Sequence, residues 1–454
     1  MIFSSLEFLF LYFPAVVAIY YLTPAKFKNI SFFFASLAFF AWGNPINLVF
    51  MVFSISINYI FGLLIFRSKE KNNSKSAKLF FSAAVSMNFV FFAFFKYFNI
   101  YPMLGISFYC LHSFSYIFDI YSKSAKAQKN FASLGVYLAA FPKLAAGPIC
   151  KYFDFESQVS HRKESVSMFA CGIRAFICGL CKKVFFADGA KEIFTYIKSL
   201  PAGDVTVFGS WFGLVSFCLY LYFELSGYCD MAVGLGKIFG FAFPENFNYP
   251  YVSKSISEFC RKWHISLVDW FLEYIWPSYK NKKRTFWKYI NIILLLVLVG
   301  FWFGAKWNYL IFVAYFLIIL ILEKRFILNV LNKVPAFFGH IYFWVVSLFG
   351  FLIFAFEDMQ KGVLYLGKMF GFFSKGFIDL GTVYDILRYL PFLALAAIGC
   401  TPFPKKLFYK LWDKPNKSQP IFKIAVSVIS MALFLICAAF LIDSGSSSFI
   451  YFGF

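Results

Sequence analysis

Charge is scarce in this chain. Only 14% of its 454 residues are charged and 61% are hydrophobic, where soluble domains carry about 25% charged residues. A water-soluble core of this length is thereby excluded. Acidic residues are the scarcer sign, 22 Asp and Glu against 43 Lys and Arg, for a net charge of +21. In a soluble protein that excess would point to nucleic acid. Here the positive residues gather in short loops between apolar runs, as positive-inside topology requires, and no nucleic acid is expected as a partner. Histidine is rarer still, with four in the chain. No two are spaced as metal ligands on one helix, there is no HExxH or Cys/His knot, and no metal is expected. Nucleophile-elbow, phosphate-loop and dinucleotide fingerprints are also missing. The ten cysteines are scattered. The one CxxC, Cys178 to Cys181, lies inside an apolar run without a second pair, so these residues read as small buried hydrophobes. Long linkers, low-complexity tracts and internal repeats are lacking too. The whole of residues 1–454 therefore reads as a single integral-membrane domain, and a transporter built on inverted repeats is disfavoured.

What is abundant is apolar sequence. Runs near the length of a hydrocarbon crossing recur from end to end, and the mean hydropathy is +0.71. The chain reads as an all-α polytopic membrane protein with roughly 11–13 membrane segments, several too short for a full crossing. The N-terminal MIFSSLEFLFLYFPAVVAIYYL lacks a positive leader region and a cleavage site, so it reads as a retained first span. Basic loops follow at Lys26–Lys28, Arg67–Lys78 and Lys123–Lys129, with two apolar runs between successive loops. All three then fall on one side, the cytoplasmic one, and the N-terminus on the other. Further basic loops are expected at Lys280–Lys288 and Pro402–Lys417.

The polar residues concentrate in one place. Between Glu224 and Leu267 lie Asp230, Glu245, Asn246, Asn248, Lys254, Glu258, Arg261, Lys262 and His264. Short, Gly/Pro-broken apolar pieces cluster there, and broken backbone at membrane depth is tolerated only against protein or water. Residues 224–276 are therefore expected to form a polar, re-entrant region lining a cavity. Glu224 and Asp230 follow the apolar run Val205–Phe223, and an ordinary place at its headgroup end competes with an intramembrane one. Ser255 and Glu258 form a capping box. A helix starting there would carry Arg261, Trp263 and His264, with Cys260 and His264 on one face. A lone histidine is more often structural than catalytic.

Several stretches together resemble the membrane-bound O-acyltransferase family, in its bacterial alginate O-acetyltransferase-like branch. They are GISFYCLHSFSYIFDIY from Gly105, FPKLAAGPICKY from Phe141, GIRAFICGLCKKVFFAD from Gly172, the central stretch with its Glu245–Asn246 and Trp263–His264 pairs, GFWFGAKWNYLIF from Gly300, and the terminal FIYFGF. The resemblance implies a helical fold around a central funnel and tunnel. It implies transfer of an acyl group from a thioester donor, such as acetyl-CoA, to a hydroxyl. In this branch the acyl group is destined for an extracytoplasmic polysaccharide, often through a periplasmic or membrane-tethered transferase as partner. The setting implied is the bacterial cytoplasmic membrane, with the lipid bilayer around the chain and no permanently bound cofactor. Asp230, Asn246, Glu258, Arg261, Trp263 and Trp302 would shape the tunnel. The family's principal histidine stands in a Trp-His-Gly motif, which here reads Trp302-Phe303-Gly304. Phe303 has no exchangeable proton, whereas a positioned histidine contributes about 10²–10⁴-fold. Three explanations stand: a natural variant without catalysis, a deliberate knock-out, or His264 serving as the base. A non-catalytic scaffold or acyl conduit for a partner transferase is the alternative function. A second departure is Glu357, where relatives carry a cation.

Overall fold

A computed structural model describes residues 1–97, 105–144, 147–201, 203–275, 285–304, 306–412 and 419–444. The expected loop residues 280–284 and 413–417, Trp276 and the terminal FIYFGF lie outside the described residues. Among those described there is no strand. Helices α1 to α5 are Phe13–Leu22, Lys28–Ala41, Ile46–Glu70, Ser74–Tyr97 and Ile106–Ser122. The next five are α6 (Phe131–Ala139), α7 (Phe141–Leu144), α8 (Tyr152–His161), α9 (Val166–Cys181) and α10 (Asp188–Ser199). The centre holds α11 (Val207–Ile238), α12 (Ile256–Lys262), α13 (Ile265–Tyr274) and α14 (Thr285–Phe303). Then come α15 (Trp307–Leu322), α16 (Leu328–Leu331), α17 (Ala336–Ala355), α18 (Met359–Met369), α19 (Leu380–Gly399), α20 (Phe403–Trp412) and α21 (Gln419–Ser444). Six of these, α3, α4, α11, α17, α19 and α21, are long and apolar enough to cross a membrane by length and composition. The protein is an all-α, multi-pass membrane protein.

The centre is α11. Its most apolar window is 78% buried inside the protein, against 6% for α19, so the other helices pack around it. Lipid gives helices no hydrophobic reason to associate, and small residues must let the backbones close. Glycines do this between α9 and α11. A Cβ at Gly179 would stand 2.4 Å from the carbonyl oxygen of Gly227, and one at Gly234 would stand 2.6 Å from that of Gly172. The two pairings fix α9 and α11 as antiparallel. Polar glue holds α3 to α4, where the buried Asn58 and Asn88 amides exchange hydrogen bonds of 3.1 and 2.9 Å. The expected span Val205–Phe223 does not stop at Phe223. It continues through Glu224 and Asp230 to Ile238 as one 32-residue helix.

The basic loops collect at one end of the bundle. Lys28 pairs with Glu164, which also accepts a 2.5 Å bond from Tyr20. Lys69 lies 4.0 Å over the Tyr121 ring, and Tyr59 donates to the Lys129 carbonyl. The Ile238 end of α11 belongs here, since Tyr21 donates to the Ile238 carbonyl. At the other end, the Phe373–Phe377 segment bonds the start of α11 through Val207 and Phe208.

Candidate functional site

After Gly240 the chain leaves α11 and runs without helix to a short 3-10 turn at Pro250. Residues 246–248 pair with residues 262–265: the Asn248 amide donates to the Lys262 carbonyl at 3.0 Å and Ile265 to the Asn246 carbonyl at 2.9 Å. Two left-handed residues flank this ladder, Tyr249 at φ 47° and His264 at φ 50°. A left-handed conformation costs a non-glycine residue about 1–2 kcal/mol. It persists only where the surroundings impose it.

Asn246 imposes it. Its Oδ1 accepts from the Ser266 amide at 3.0 Å and from the Ser266 hydroxyl at 2.9 Å, while its Nδ2 donates to the Cys229 sulfur on α11. The Ser266 oxygen also accepts from the Ile149 amide at 2.9 Å. One buried amide thus ties together α11, the start of α13 and the Gly147–Lys151 segment. The Asn246 side chain and main-chain carbonyl take the Ser266 and Ile265 amides, and the His264 carbonyl takes those of Leu267 and Val268, so the first-turn amides of α13 are all engaged. Farther along, α13 is bound to α5 by Trp270 donating to Ser115 and Tyr274 to Asp119, both at 2.8 Å.

His264 is therefore not on the helix that Ser255 starts. That cap exists, with the Ser255 hydroxyl accepting from the Glu258 amide at 3.1 Å. The buried Glu323 carboxylate adds two more bonds, from the amides of Ile256 and Ser257. But α12 ends at Lys262 and the chain turns at His264 into α13. The expectation that Cys260 and His264 share one helical face fails for this reason. His264 is 4% exposed. Its ring stacks with Phe108 at 6.3 Å between centroids, meets Trp302 at 6.2 Å and 89°, and lies 5.9 Å from Phe247.

Trp302 joins two neighbourhoods. Its indole N–H donates to the Ser107 carbonyl at 3.2 Å, and its ring meets Phe108 as well as His264. Phe303 instead packs with Tyr309, Phe312 and Phe354. Trp263 stacks on Tyr251 beside Phe247, Phe259 and Phe351. Asp230, next to the Cys229 that Asn246 bonds, is paired with Lys182 at 2.6 Å. Glu258 accepts from the Lys254 amide and pairs with Lys262 at 2.7 Å. Burial pulls its carboxyl upward, but the Lys262 ammonium and the Lys254 amide outweigh that and hold it below the ordinary value. Arg261 is exposed. Of the expected set, the structure gathers Asn246, Trp263, Trp302 and His264, and it leaves Asp230, Glu258 and Arg261 outside that group. Glu357 meets Lys306 at 2.6 Å, so a cation stands beside the position where one looked lost.

A buried ionic centre lies outside the set expected from the sequence. Lys183 lies 2.9 Å from Glu224 and 2.6 Å from Asp188, with Lys183 and Glu224 almost fully buried. Lys182 and Lys183 sit on a π-helical turn at Lys182–Ala187. Such turns recur at functional sites, and this one sends successive lysines to different carboxylates. The signal was a Lys-Lys pair at the end of one apolar run and an acid inside another, which membrane depth makes costly unless they meet.

The profile of MBOAT, the membrane-bound O-acyltransferase family, matches residues 122–357. The chain belongs to the membrane-bound O-acyltransferase family. A probable alginate O-acetylase of Azotobacter vinelandii is 33% identical over 90% of this chain and 86% of its own length. The peptidoglycan O-acetyltransferase of Helicobacter pylori is 30% identical over 68% of each chain. The teichoic acid D-alanyltransferase of Bacillus subtilis is 30% identical over 48% of this chain and 58% of its own. The matched region takes in the 246–265 ladder, the Lys183 centre and Trp302–Gly304, so this member of the family carries its phenylalanine inside the matched domain.

Proposed function

We propose that this chain is an O-acyltransferase of the bacterial cytoplasmic membrane. It takes an acyl group, acetyl by preference, from a thioester such as acetyl-CoA at the basic end of the bundle. The group is passed toward a hydroxyl of an extracytoplasmic polysaccharide. The observation that carries this reading is the full-length similarity to an alginate O-acetylase, together with similarity to two relatives named for acyl transfer to other envelope polymers. The basic end is cytoplasmic and the N-terminus extracytoplasmic by the charge rule. A periplasmic or membrane-tethered transferase completes delivery. The acyl thioester is a substrate, and the reading includes no permanent cofactor.

In the transfer step the hydroxyl oxygen attacks the thioester carbon, the C–S bond breaks, and the hydroxyl proton passes through the His264 imidazole to the departing thiolate. Asn246 holds that imidazole in place from behind by fixing Ser266, the second residue after it. Because His264 is nearly sealed by Phe108, Phe247 and Trp302, the aromatic wall must part for substrate to reach it. Reconstitution of the full chain with radiolabelled acetyl-CoA tests the reading. Label should reach an O-linked polysaccharide ester, and a protein that neither binds acetyl-CoA nor cleaves its thioester would sink it.

The second reading is an inactive scaffold or acyl conduit for a partner transferase. Phe303 favours it, since this ring closes an apolar cluster with Phe312 and Phe354 where the family motif places a base. Under it the native chain transfers nothing, and the partner does the chemistry.

A further inference from the structure

A cavity of about 570 Å³ opens beside the 246–265 ladder, between that segment and the short helix α20. Its polar lining is Asn248, Tyr249, Lys262, Lys405, Lys406 and Tyr409. Three ammonium groups and two phenols thus surround one space. The carboxylates nearby do not balance it. Lys262 meets Glu258 at 2.7 Å and Lys405 meets Glu245 at 3.1 Å. Among the described residues, Lys406 has no carboxylate partner. The ten residues of α20, FPKKLFYKLW, are too few to span a bilayer, and its exposed Phe403, Leu407, Tyr409 and Leu411 suit an interfacial position.

The cavity is also mechanically joined to the site. Asn248 and Lys262 line it and are hydrogen-bonded to each other in the ladder that holds Asn246 and His264. A ligand that drew Lys262 inward would press on the ladder two residues from His264.

We propose that this cavity is an anion subsite that takes a phosphate or diphosphate group. Ammonium and phenol donors converge on it, and a phosphate offers several charged acceptor oxygens where a carboxylate offers two. Lys406 supplies the charge that the local carboxylates leave over. The group belongs either to a phosphorylated acyl-thioester donor, in which case the inference rests on the transfer reading above, or to an anionic lipid headgroup at the interface.

Inorganic pyrophosphate titrated calorimetrically into the full chain in phospholipid-free detergent tests the subsite without requiring any transfer. Saturable binding is expected, weakened roughly tenfold or more by Lys406→Glu, in line with the strength of one charge-assisted contact. Lys361→Glu, exposed on α18 and away from the lining, should stay within about twofold because charges separated by more than a Debye length are screened. A repeat in nanodiscs of phosphatidylcholine, with and without phosphatidylglycerol, separates the sources. Loss of pyrophosphate binding with phosphatidylglycerol assigns the site to a lipid headgroup, and retention assigns it to a soluble phosphorylated ligand. No saturable binding in detergent, or binding by Lys406→Glu and by a Lys262→Gln/Lys406→Glu double variant equal to that of the native chain, overturns the proposal. A positive titration with no acyl transfer would leave the subsite standing and remove the transfer reading.

Discussion

The ring of His264 meets the ring of Trp302 edge to face, 6.2 Å between centroids and 89° between planes. Phe303, the next residue, packs with Tyr309, Phe312 and Phe354. The tryptophan of the family motif thus reaches the histidine of the central stretch, while the motif's altered middle position serves an apolar cluster. Asn246 keeps His264 at this spot by anchoring the ladder and the start of α13.

Asn246→Ala should therefore be costly. It removes two bonds to Ser266 and one to Cys229 in a buried setting, leaving those groups without their partner. The loss should be about 1–3 kcal/mol, read as a lowered unfolding temperature in detergent. Asn246→Asp keeps the acceptor for Ser266 and gives up the donation to Cys229, but buries a charge. It should preserve less stability than the native amide, and an alanine variant equal to wild type would contradict the capping role.

Lys183 offers a test of the buried ionic centre. Lys183→Met leaves Glu224 buried beside Asp188 without the cation between them and should cost about 3–5 kcal/mol. The double change Lys183→Met/Glu224→Leu should recover much of that, since Asp188 is partly exposed and can be hydrated. Additive losses in a double-mutant cycle would show that Lys183 and Glu224 do not depend on each other.

The α9–α11 contact predicts a steric threshold. Gly227→Ala brings a Cβ to 2.8 Å from the Gly179 carbonyl oxygen, and Gly227→Leu adds bulk against that backbone, the Lys183 amide and the Lys182 Cβ. Yield of monodisperse protein should fall from native to alanine to leucine. Gly43→Ala, where a Cβ meets nothing, should behave like the native chain apart from its effect on the unfolded state.

Acid sensitivity should trace in part to Glu164 at the basic end. Burial pulls its carboxyl upward, but hydrogen bonds from Lys28 and Tyr20 outweigh this and hold it below 4.5. A carboxyl depressed in the folded state contributes stability above its unfolded value and loses it as pH falls through the folded one. Glu164→Gln should lower stability at neutral pH and flatten the loss below about pH 4.5. An unchanged acid limb would contradict it.

How much of this the sequence disclosed depended on range. The Ser255 cap was legible because donor and acceptor lie three residues apart. The all-helical, multi-pass class was legible because apolar run length carries it. The turn at His264 was not, because a continuous helix through Arg261 and Trp263 satisfies every local preference. What breaks it is Asn246 and the ladder, contacts that exist only after the chain has folded back. The extension of α11 through Glu224 was not legible for the same reason: the acid is tolerated there because Lys183 comes to it from another segment. The lining roles of Glu258 and Arg261 came from the resemblance alone; Glu258 pairs with Lys262 and Arg261 is exposed.

The most direct test of the account is acyl transfer by the full chain in proteoliposomes, with acetyl-CoA outside and acceptor polysaccharide supplied, compared with His264→Ala and Phe303→His. The account predicts measurable transfer by the native protein and a loss of about 10²–10⁴-fold in His264→Ala, with donor binding retained. Transfer that survives His264→Ala, or a native protein that is silent until Phe303→His restores activity, would contradict it.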